Sequence, residues 1–109
     1  MNSADMIAPQ RLAFADEAED STALRFEQFD AKAPHIFELM ARIALRRLDA
    51  GATYISVKWL VECVRTDPSV TRDGRPVSID NSFSALYARK LLEVYPELSG
   101  AIHLRKRHV

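Results

Sequence analysis

The sequence predicts a mainly helical α+β domain in which three core helices pack with a small sheet of two or three strands. Two observations carry that expectation. Apolar residues recur at helical spacing in three bounded stretches, and two short β-favouring runs lie outside them. The 109 residues suit one domain with one modest core.

Residues 1–20 are small, polar and acidic, with few large apolar groups to offset the entropy of ordering, and read as a flexible acidic leader. The folded domain is expected over residues 21–109. Leu24, Phe26 and Phe29 suit a short helix that docks onto the body and ends before Pro34. Pro34 fits the first position of the next helix, His35 to Ala50, where Ile36, Met40, Ile43, Ala44 and Leu48 share one face. Arg46 and Arg47 complement its negative end, and Gly51 supplies the stop.

Thr53-Tyr54-Ile55 is a β-favouring run that needs a partner strand. Ser56 is an N-cap for the second helix, Val57 to Thr66, which Asp67-Pro68 ends. Asp73-Gly74 signals a turn, giving a small hairpin or an irregular loop over 69–80. Asp80-Asn81-Ser82 then caps a third helix reaching Tyr95, with Phe83, Leu86, Tyr87, Leu91 and Val94 inward. After Pro96 and Gly100, residues 101–105 alternate at period two and read as a strand pairing with Thr53–Ile55. Helix, strand, helix, helix, strand is the order of a winged helix, a variant of the helix-turn-helix.

Charge is unevenly shared. Residues 1–34 hold seven acids against three bases, and the rest twelve bases against eight acids, so a leader of −4 precedes a body of +4. In a winged helix the third helix enters the major groove while basic segments touch phosphate. The residues placed for this are Asn81, Ser84, Arg89 and Lys90 on the third helix and Arg105, Lys106 and Arg107 at the basic end. Duplex DNA is therefore the expected partner. The alternative is an inhibitor or adaptor that captures a host protein, with Tyr54 and Trp59 as aromatic anchors and the acidic leader against a basic surface.

No local catalytic signature is present. His35, His103 and His108 lack metal-ligand spacing and read as surface histidines. The acids Glu38, Asp49, Glu62 and Glu93 are scattered over separate helices, and three glycines build no phosphate loop. A lone Cys63 in an apolar stretch reads as a small hydrophobe. A non-enzymatic protein without metal or cofactor is expected. Neither a membrane span nor the basic, apolar opening of a signal peptide is present, which points to the cytoplasm.

Asp80-Asn81-Ser82, Tyr87-Ala88-Arg89, Pro96, Gly100 and Ile102-His103-Leu104-Arg105, with Pro34-His35-Ile36-Phe37 upstream, resemble a family of small uncharacterised proteins carried by bacteriophages and prophages. The likeness spans residues 30–105. It departs at Arg65-Thr66-Asp67, where the family tends to have Arg-Trp-Glu, and at Asn81, all that remains here of an asparagine run. The resemblance implies a mobile-element setting, that of a phage or prophage accessory protein, and carries no activity across; the expected regulatory, DNA-binding role comes from the winged-helix order and the basic residues alone.

Overall fold

Apolar stripes at helical spacing bury themselves only by packing against one another, and here they close around a single cluster of side chains. The computed structural model describes residues 21–71 and 73–104. The chain is helical over 21–32, labelled α1, then forms α2 (Pro34–Asp49), α3 (Val57–Arg65) and α4 (Ser84–Val94). A 3-10 turn over Asn81–Phe83 leads into α4, and a second, Pro96–Gly100, follows it.

Local chemistry sets the boundaries. Ala33 leaves helical geometry ahead of Pro34, which starts α2 without needing an amide donor. At the other end the Ala52 amide donates to Arg47 O at 2.9 Å and Gly51 to Leu48 O at 3.0 Å. That is a Schellman closure, and it requires the left-handed φ of 96° that Gly51 adopts. Ser56 is extended, and its hydroxyl accepts from the Trp59 amide at 3.2 Å to cap α3.

The core joins Phe26 of α1, Ile36, Phe37, Met40, Ala41 and Ala44 of α2, and Leu60, Val61 and Val64 of α3 to the inner face of α4. With the preceding Phe83, that face is Tyr87, Ala88 and Leu91; of the predicted stripe, Phe83, Tyr87 and Leu91 are buried, Leu86 is half-buried against the core, and Val94 alone is exposed. Leu24 likewise points outward, while Phe26 makes edge-on contacts with Tyr87 at 4.7 Å and Phe83 at 5.5 Å.

The expected α+β winged helix is overturned: the described residues are mainly helical and contain no β-strand, so there is no sheet and no wing. The reason lies in where backbone groups are used. The two runs expected to pair do meet, through Ile55 N–H to Ala101 O at 2.9 Å. However, the amides of Ala101 and Ile102 both donate to Leu98 O, closing the turn that Pro96 begins, and both side chains are buried. A strand would send one of them outward and spend alternate amides on its neighbour. Between α3 and α4, Asp73 and Gly74 make the expected turn with φ of 52° and 75°, inside an irregular loop. That loop is tied to α3 by Val77 N–H to Arg65 O at 3.0 Å and by the Arg65 guanidinium, which donates to Ile79 O.

Candidate nucleic-acid interface

Where the N-terminal ends of α3 and α4 meet the segments around Tyr54 and His103, a groove of about 390 Å³ opens. Asn81, Ser82, Ser84, Ala85, Ala88 and Arg89 line one flank. Ser56, Val57 and Lys58 form the α3 side, and Tyr54, His103 and Leu104 the rim. Lys58, Arg89 and His103 contribute its basic groups, and among the described residues no carboxylate lines it. Neither Lys58 nor Arg89 is ion-paired among the described residues. Glu62 borders an adjoining dent, where Arg65 pairs with it.

Several of these groups are held in place. The Arg65 guanidinium donates to Asn81 Oδ1 at 2.7 Å. A guanidinium can only donate, so this contact fixes the amide orientation and commits the Asn81 oxygen, leaving its NH2 as a donor. Asp80 supports the same turn: its Oδ1 accepts from the Ser82 amide at 2.9 Å and hydroxyl at 2.7 Å, and its Oδ2 from Arg25 at 2.6 Å. The Ser82 amide first, then Arg25 and the Ser82 hydroxyl, hold the Asp80 carboxyl down at about 2.

The rim is aromatic. Tyr54 is 63% exposed, and its ring lies parallel to that of His103, 11° between planes and 6.1 Å between centroids. Beside it the Arg47 guanidinium sits 5.1 Å over the ring of Trp59, which is 44% exposed. Tyr54 borders both the groove and the dent that holds Arg47 and Trp59.

Of the residues expected to touch DNA, Asn81, Ser84 and Arg89 therefore share one groove, with Tyr54 on its rim and Trp59 next door. Lys90 does not join them. It pairs with Asp30 of α1 and lies 4.3 Å over the Phe37 ring, so it fastens α1 and α2 to α4. Arg105, Lys106 and Arg107 lie outside the described residues, as does the acidic leader 1–20. Sequence reasoning did not place Lys58 or His103 in this groove. Lys58 carried the faint signal of a lone cation on the first turn of α3; His103 carried none, because its pairing with Tyr54 is tertiary.

Elsewhere the polar chemistry is structural. Burial is the main influence raising the Cys63 thiol, against an opposing pull from Arg47, so it stays protonated near neutral pH. Burial, then the Asp30 charge, pushes the Tyr87 phenol up strongly, and its hydroxyl has no hydrogen-bond partner among the described residues. Among the described residues no group of three or more His, Cys, Asp or Glu is placed to hold a metal ion. None of their helices is long and apolar enough to cross a membrane. No protein-family model, curated protein or solved structure matches the chain.

Proposed function

We propose that the protein is a non-enzymatic, cytoplasmic DNA-binding accessory protein of a phage or prophage that receives the phosphate backbone in the groove between α3 and α4. The supporting observation is the lining: Lys58, Arg89 and His103 with amide and hydroxyl donors, and no carboxylate among the described residues there. Unpaired cations there replace counterions released from a polyanion, and the Asn81 NH2 with the Ser84 hydroxyl orients phosphate oxygens. Titrating the intact protein with labelled single-stranded and duplex oligonucleotides over a salt series tests this. Binding that falls steeply with salt is expected, and no binding to either form at about 50 mM salt overturns it.

A second reading, capture of a host protein in an inhibitor or adaptor role, is favoured by the outward position of Tyr54 and Trp59. Nuclease-treated lysate separates the two: a protein captured by the wild type and lost with Trp59→Ala supports capture. Removing residues 1–20 adds a charge test, since losing a −4-rich leader should leave or raise DNA affinity but abolish a leader-based protein contact.

A further inference from the structure

The proposed DNA-binding groove is a depression rather than a ridge, and that bears on the form of nucleic acid it accepts. We infer that the groove takes a single strand, with Tyr54 and His103 as a platform on which an unpaired base stacks. This rests on the nucleic-acid reading above and names its substrate class.

Shape is the first argument. A reader of duplex major groove projects a helix or ribbon into a channel about 12 Å wide. Here Asn81, Ser84 and Arg89 lie along a concavity of about 390 Å³ whose lining also includes Lys58 and Tyr54. That volume lies within the range of small-ligand sites, roughly 300–1,000 Å³. A concavity of that size suits a single nucleotide better than the convex outer surface of a duplex.

The second argument is the rim itself. Tyr54 holds a large aromatic ring in solvent at 63% exposure, and its plane is set parallel to His103. Paired bases are already stacked on one another and have no face to offer such a ring; unpaired bases do. Leu104, 47% exposed on the same rim, adds an apolar surface for base or sugar. Cations beside exposed rings are the combination that single-strand binders use without reading sequence. DNA and RNA share this chemistry, and both belong in the test.

The experiment is fluorescence anisotropy with the full chain and labelled strands of about 20 nucleotides: oligo(dT), oligo(U), and a duplex of equal length. The single strands should bind at least about tenfold more tightly than the duplex. Tyr54→Leu should weaken single-strand binding about tenfold while Tyr54→Phe stays within about twofold, since the ring and not the hydroxyl stacks. Because Tyr54 is exposed, neither change threatens the fold. Duplex binding as tight as single-strand binding, or Tyr54→Leu without effect, overturns the inference and leaves the DNA-binding reading in place. Failure of all three oligonucleotides to bind overturns both.

Discussion

Arg89 and Lys90 are neighbours in sequence, and the turn of about 100° between them puts them in different surroundings on α4. Arg89 faces the groove with no counter-charge among the described residues. Lys90 faces α1 and α2, where Asp30 and the Phe37 ring engage it. One flank is apolar, aromatic and ion-paired; the other is polar, cationic and open. The contrast teaches that a cation on a helix is available to a ligand only if the packed neighbours supply no acid for it. Arg65 and Arg25 obey the same rule, engaged by Glu62 and Asp80.

The largest expected effect tests the packed flank. Phe26→Ala should cost about 3–4 kcal/mol, measured by urea denaturation, because it removes the ring that lies against Phe83 and Tyr87. A loss below about 1 kcal/mol would mean that α1 is not part of the core. Next comes Lys90→Met, which leaves the Asp30 carboxylate, 14% exposed, without its partner. A fully buried pair loses about 3–5 kcal/mol on such truncation; the 32% exposure of Lys90 lowers the expectation to about 2 kcal/mol. Adding Asp30→Asn should recover about half of it, and an additive double mutant would deny the coupling.

Tyr87→Phe is expected to stabilise by about 1 kcal/mol, since it deletes a buried hydroxyl without a partner among the described residues. The folded phenol titrates above its ordinary value, so it adds no pH dependence below about pH 10, and stability falls as pH rises beyond that and the unfolded phenol ionises first. Melting temperatures followed into alkali should fall less steeply in Tyr87→Phe. The smallest effect belongs to Asp80. Its folded carboxyl is depressed to about 2, so its stabilisation is present above the ordinary value of about 4 and disappears as pH falls towards 2. Asp80→Asn should flatten that acid limb in circular dichroism melts; an unchanged limb would place the acid sensitivity elsewhere.

The helices were legible because their signals are local. The Gly51 stop, the Ser56 cap, Pro34 at the start of α2 and the Ile36–Met40–Ala44 face all follow from neighbouring residues. The sheet was misread because β-favouring residues and period two over 101–105 do not reveal that Leu98 O takes the amides a ladder needs. The groove was partly legible: Asn81, Ser84 and Arg89 stand out in the sequence as cap and outward helix residues, and all three line it, although the five-residue step from Ser84 to Arg89 does not by itself put them on one face. It was not legible in Lys58 and His103, which arrive from other segments, nor in Lys90, whose acid lies 60 positions earlier.

The difference between the two flanks of α4 is measured most directly by oligonucleotide affinity in Arg89→Ala and Lys90→Met, each across a salt series. Arg89→Ala should weaken binding about fivefold and lower the salt slope by about one, as expected when one phosphate contact is lost. Lys90→Met should leave both quantities at the wild-type value despite its lower stability. Equal losses in the two variants, or a loss confined to Lys90→Met, would contradict the assignment of the open flank to the ligand and the packed flank to the fold.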